Sequence, residues 1–143
     1  MDGVFCDENK SCTIDFSAAP WATDHIHDVF HEAKLFVLSD VDFVAETENE
    51  LLLVEYKNAN LSNAAHPEAF RPLEDKRLNR VAMKYYNSLQ FLQVMNHGID
   101  KKKRYVYILE CLNGIESCES VSANYWPHDC RSCFSNKCIC QER

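Results

Sequence analysis

Asp42, Glu55 and Lys57 have the residue types and the spacing to act on a phosphate ester. Carboxylate oxygens are hard ligands that suit Mg²⁺ or Mn²⁺. An ammonium beside them can orient or activate a water, or offset charge that builds up on a phosphoryl group. The competing account of Glu55-Tyr56-Lys57 is an ordinary ion pair at a strand end, which contributes little. The choice between them depends on whether the backbone brings Asp42 to the other two.

The stretch Ser39–Asn60, SDVDFVAETENELLLVEYKNAN, decides this. Apolar and β-branched runs at Val41–Ala45 and Leu51–Tyr56 flank the polar segment Glu46–Glu50, the pattern of a β-hairpin. A period of two puts Leu51, Leu53, Glu55 and Lys57 on one face of the second strand and Leu52, Val54 and Tyr56 on the other. Both faces are largely apolar, so this strand belongs in the centre of a sheet with cover on both sides. If residues 47–50 connect the strands, Glu46 opposes Leu51 and Asp42 opposes Glu55, with Cβ atoms roughly 5 Å apart on one face. A connection one residue shorter would turn Asp42 away. Asp40 shares the face of Asp42 and competes for its role, but Asp42 is the one that directly precedes the apolar pair Phe43-Val44.

Val41-Asp42-Phe43-Val44, the hairpin, Val54-Glu55-Tyr56-Lys57 and the long helix that follows resemble the PD-(D/E)XK nuclease superfamily. That is the fold of many restriction endonucleases and of RecB-like and Holliday-junction nucleases. The resemblance spans roughly residues 20–110 and implies an α/β (α+β) chain with a restriction-endonuclease-like αβββαβ core, a central mixed sheet flanked by helices. It implies Asp42 and Glu55 as metal ligands, the Tyr56 backbone carbonyl as a further ligand and Lys57 as the catalytic lysine. The first helix of that family often donates a carboxylate, and Glu32 is the positional candidate, with a solvated helix residue as the competing account. One departure is Val41, which stands where the motif has proline.

The elements that must position these residues follow from periodicity. Ala22, Ile26, Val29, Phe30 and Ala33 mark a helix over 22–33, and strands are expected at 34–38, 41–46, 51–57 and 105–109. Leu78, Val81, Ala82, Tyr85, Leu89 and Leu92 mark a helix over 73–95 that Gly98 suits as a left-handed cap. The opposite face of that helix carries Lys76, Arg80 and Lys84. With Lys102 and Lys103 these are candidate contacts for phosphates flanking a cut, the plain alternative being solvated surfaces. The polar segment after Lys57, Asn58–Asn63, could close over a substrate. His25, His27 and His31 lack the H-E-x-x-H arrangement and read as surface histidines.

A chain of 143 residues with 46% hydrophobic and 26% charged content is a single domain by size. It divides into an arm (1–19), the nuclease-like core (20–118) and a Cys-rich tail (119–143). A net charge of −7 and a pI near 5.3 argue against coating nucleic acid by bulk attraction, and leave that work to a local basic face and a bound cation. The acidic, polar start MDGVFCDENK has no secretory pattern and no stretch suits a membrane span, so a cytoplasmic, reducing location is expected, with thiols or metal ligands favoured over disulfides. In the tail, Cys130, Cys133, Cys138 and Cys140 form C-x₂-C-x₄-C-x-C, a spacing suited to Zn²⁺. A similarity to RecB-like and CRISPR-associated nucleases implies instead a [4Fe–4S] cluster completed by Cys6 or Cys12, and a third account leaves the thiols free.

The combined expectation is a Mg²⁺- or Mn²⁺-dependent deoxyribonuclease whose partner is DNA, acting as a homodimer or with a larger protein and not on a membrane. The alternatives are a catalytically inactive nuclease-fold module that binds nucleic acid or protein, and a zinc or iron–sulfur interaction module centred on the tail.

Overall fold

The computed structural model describes residues 3–58, 74–110 and the backbone of 131–134. Its elements are strands β1 (Val4–Cys6), β2 (Thr13–Asp15) and β3 (Trp21–Thr23), helix α1 (Ile26–Glu32), strands β4 (Phe43–Glu46) and β5 (Glu50–Asn58), helix α2 (Asp75–Val94), and strands β6 (Lys102–Glu110) and β7 (Arg131–Phe134). Five strands form a mixed sheet in the order β3-β4-β5-β6-β7, antiparallel from β3 to β5 and parallel from β5 to β7.

The β4–β5 hairpin has the register expected from its loop length: Glu46 pairs with Leu51 and Phe43 with Val54, which sets Asp42 level with Glu55. Thr47 closes the connection, its N–H donating to the Glu50 carbonyl at 2.9 Å. β5 is central, and the alternation of its side chains builds two apolar layers. Leu51 and Leu53 pack with Val44, Tyr105, Tyr107 and Leu109 under Ile26 and Phe30 of α1 and Val81, Tyr85 and Leu92 of α2. Val54, Tyr56, Phe43 and Ile108 face the other way, onto Cys12, Phe5, Ile14 and Phe16. Each fully buried aliphatic or aromatic side chain contributes about 1.5–3 kcal/mol, so both layers matter to stability.

Three expectations are corrected here. Both helices lie on one face of the sheet and do not flank it; the other face is covered by the β1–β2 hairpin, which belongs to the N-terminal arm. Residues 34–38 form no strand. After α1 the Lys34 backbone turns left-handed (φ 58°), with Lys34 N–H on the His31 carbonyl and Leu35 N–H on the Phe30 carbonyl, the paired bonds of a Schellman end. That closure consumes the residues that would have started a strand and leaves Phe36 and Val37 exposed at 68% and 93%. The outer strand is instead β3, paired with β4 and placed ahead of a helix shorter than 22–33. The core order is therefore βαββαβ, not αβββαβ.

The long helix and the strand after it appear where the periodicity put them, α2 over 75–94 and β6 over 102–110. α2 also ends in a Schellman pair, His97 N–H to the Leu92 carbonyl and Asn96 N–H to the Gln93 carbonyl, with Asn96 as the left-handed residue. Gly98 is left-handed too, and a Cβ there would lie 2.8 Å from Leu51, so it seats the end of α2 on the start of β5. No described helix is long and apolar enough to cross a membrane.

Candidate functional site

At the C-terminal end of β5 the alternation that buries Leu51 and Leu53 carries Glu55 beneath α2, where it is fully buried. Lys57 follows on the same face, and its Nζ lies 2.9 Å from Glu55 Oε1. Asp42 sits just ahead of β4, between the buried anchors Val41 and Phe43. Two bonds hold it: Val41 N–H donates to Ser88 Oγ of α2 at 3.0 Å, and Tyr56 N–H donates to Asp42 Oδ2 at 2.7 Å. The three residues singled out in the sequence therefore meet.

A fourth joins them. Lys84 of α2 reaches down, with Nζ 3.0 Å from Glu55 Oε2, 2.9 Å from Oε1 and 3.8 Å from Asp42 Oδ1. This corrects its expected place: it belongs to the acidic cluster and not to an outward basic face. Its neighbours could have shown this, because it stands three residues after buried Val81 and four before buried Ser88, at the edge of the apolar stripe.

The electrostatics are uneven. Burial, and then repulsion from Asp42, push the Glu55 carboxyl above the usual range even though both ammonium groups oppose the shift. Oε1 lies 2.9 Å from both ammonium groups, Lys57 Nζ and Lys84 Nζ. Burial would lower the Lys57 ammonium, but the carboxylates of Glu55 and Asp42 outweigh it and hold Lys57 above the usual lysine value. On the other face, Tyr56 donates its hydroxyl to Glu110 Oε1 at 3.0 Å, and burial pushes the phenol up to about 12, so it stays a neutral donor.

Asp42, Lys57 and Lys84 open onto a cleft of about 420 Å³ that wraps the end of the sheet. One wall is the turn between β1 and β2, contributing Cys6–Asn9; the other is Asp24, His27 and Asp40. Asp7 shapes the first wall by accepting from the N–H groups of Ser11 and Cys12, both at 2.6 Å. In the second, His27 Nδ1 bonds Asp40 Oδ1 at 3.2 Å. Asp40 thus shares the cleft with Asp42, as their common face implied, but is engaged with the histidine.

The other candidates are placed as follows. Glu32 is exposed and does not line the cleft; the carboxylate contributed from near α1 is Asp24, just ahead of the helix. Tyr56 enters the site through its N–H, the group bonded to Asp42. Lys76 and Arg80 are exposed on α2. Lys102 and Lys103 lie at the far end of the strands: Lys103 pairs with Leu51, six positions before Lys57, or roughly 20 Å at 3.3 Å per residue. Cys12 is buried in the second apolar layer. Cys130, Cys138, Cys140 and the segment after Asn58 lie outside the described residues, and Cys133 is described only as a backbone position of β7, opposite Ile108.

Among the described residues no three His, Cys, Asp or Glu side chains gather closely enough to cage a metal. Asp42 lines the cleft and can serve as one of the one or two carboxylates that Mg²⁺ takes beside water and phosphate oxygens, whereas Glu55 is fully buried and held by Lys57 and Lys84. The raised Glu55 carboxyl, beside a second carboxylate, is the arrangement that added positive charge relieves. No family model matches the chain, and no curated protein and no solved structure matches it either.

Proposed function

We propose that the protein is a divalent-metal-dependent phosphodiesterase acting on DNA, built on a variant of the restriction-endonuclease-like core in which an outer strand precedes the first helix. The observation that carries this reading is the meeting of Asp42, Glu55 and Lys57 at the end of β5, where Asp42 and Lys57 line the cleft and Glu55 lies buried against Lys57 and Lys84 with its ionised form disfavoured. Perturbed carboxyl groups gather at functional sites in clefts, as they also do in buried ion-pair networks.

Asp42 and Glu55 are the residues to hold the cation, which when bound supplies positive charge to polarise a phosphoryl group and acidify a water. Lys57 stays protonated and is therefore no general base; its ammonium orients the water through its N–H groups and offsets charge developing on the phosphoryl oxygens. Ser88 and the Tyr56 N–H fix the position of Asp42, the pre-organisation such chemistry needs.

A binding module without hydrolysis is the competing reading, and one observation favours it: the Lys84 ammonium already stands between the two carboxylates and balances their charge. Cleavage of labelled DNA with Mg²⁺ or Mn²⁺ separates the two. Lys57→Ala should lower metal-dependent cleavage by about 10²–10³-fold, the usual cost of one lost charge-stabilising group, with the fold retained. Wild-type protein that binds DNA but cuts none with either metal would leave only the binding module.

A further inference from the structure

α2 runs antiparallel to β5: Gly98 packs on Leu51 at the strand's start, and Lys84 meets Glu55 near its end. The N-terminal half of α2 therefore continues past the cleft. Beyond Lys84, which is turned into the acidic cluster, the exposed Arg80 and Lys76 follow at intervals of four residues, with ~6 Å of helix between successive cations leading away from the site. Across the cleft the charge reverses, with Glu8 on the hairpin turn and Asp24 and Asp40 on the opposite wall. The cleft volume of about 420 Å³ gives room for a nucleotide-sized group.

From this polarity, and resting on the phosphodiesterase reading, we propose that the site takes a single DNA strand by its end: the backbone lies along Lys76 and Arg80 toward Lys84, and the terminal nucleotide enters between Glu8, Asp24 and Asp40. A duplex brings one negative charge per ~1.7 Å of axis, and its second strand would be pressed against the acidic walls. A strand end brings only the phosphate to be cut and those behind it, which the α2 stripe neutralises. Hydrolysis forms a bond from the water oxygen to phosphorus and breaks the bond to the terminal nucleotide's oxygen, which takes up the proton; nothing is oxidised or reduced.

The test uses the full chain and four fluorescent probes: a linear single-stranded oligonucleotide, the same sequence circularised, the linear duplex and a circular plasmid. Binding is measured in Ca²⁺ to hold back turnover, and cleavage in Mn²⁺. Linear single strands should bind about tenfold tighter than circles or duplex and be shortened stepwise from one end. Lys76→Ala with Arg80→Ala, both exposed positions, should reduce the salt slope of that binding by about 1.4, the value for two lost single-strand phosphate contacts. Equal binding to circles or duplex, or a double variant with an unchanged slope, overturns the strand path. Cleavage of circles overturns it too but keeps the hydrolase, whereas end-selective binding with no cleavage of any probe supports the path and removes the hydrolase. Binding to none of the probes overturns both.

Discussion

At the start of β5, Glu46 accepts from His97 Nδ1 at 2.9 Å and lies 3.0 Å from Lys101 Nζ, and the histidine's hydrogen bond, with help from the lysine, holds its carboxyl below the usual range. At the other end, Glu55 lies as close to two ammonium groups and is pushed above it. The difference lies in water and in neighbours. The Glu46 side chain keeps 17% exposure, its partners donate directly, and His97 is itself fixed by stacking on Trp21 with ring centres 3.8 Å apart. Glu55 has no exposure and a second carboxylate beside it. One cluster is arranged so that its charges stabilise the fold. The other holds a carboxyl whose ionisation the fold disfavours.

The largest test of that contrast is to neutralise each glutamate in turn. Glu55→Gln should reduce metal-dependent cleavage by about 10²-fold or more while leaving the metal-free protein at least as stable as wild type, because the neutral amide escapes the burial cost and the repulsion from Asp42. Glu46→Gln should do the reverse, lowering stability by about 1–2 kcal/mol through weakened charge-assisted bonds and leaving cleavage unchanged. Urea midpoints and initial cleavage rates on the same preparations decide it. Equal destabilisation by the two substitutions would make the Glu55 cluster an ordinary structural ion network.

A smaller effect probes how the site is held. Ser88→Ala removes the acceptor for the Val41 N–H in a buried setting, at a cost of about 1–3 kcal/mol, and frees the segment that aims Asp42. Stability and cleavage should fall together, with the metal dependence of cleavage shifted to higher concentration. A loss of stability with no change in metal dependence would mean that Tyr56 N–H alone fixes Asp42.

How much of this was legible in the sequence depended on the range of the interaction. The Asp42–Glu55–Lys57 meeting was readable because a hairpin's register is set by its own loop, residues 47–50, and by strict alternation. Lys34–Leu38 misled because its four successive apolar residues, Leu35 to Leu38, satisfy strand and helix-end patterns alike, and the deciding factor, a left-handed lysine closing α1, leaves no mark that a glycine would. β3 was missed because Trp21-Ala22-Thr23 is short and sits within an apparently helical stripe. The hairpin cover and the wall formed by Glu8 depend on packing between residues about 40 positions apart, and Phe5, Ile14 and Phe16 are too sparse to announce a buried face.

The gentlest test of the two-ended contrast is pH. Glu46 has a folded pKa below its ordinary value of 4.5, so its contribution is complete above that value and is lost as pH falls through the folded one. Glu55 has the opposite sign: with a folded pKa raised above 4.5, stability falls as pH rises from that value through the folded one, because the folded state is the one that resists ionisation. Glu46→Gln should therefore flatten the acid side of a plot of urea midpoint against pH. Glu55→Gln should instead remove the decline on the rising side, in metal-free buffer where no cation competes for the carboxylate. Two variants that flatten the same limb would mean that both glutamates are held as stabilising charges, and would remove the asymmetry that singles out the Glu55 end.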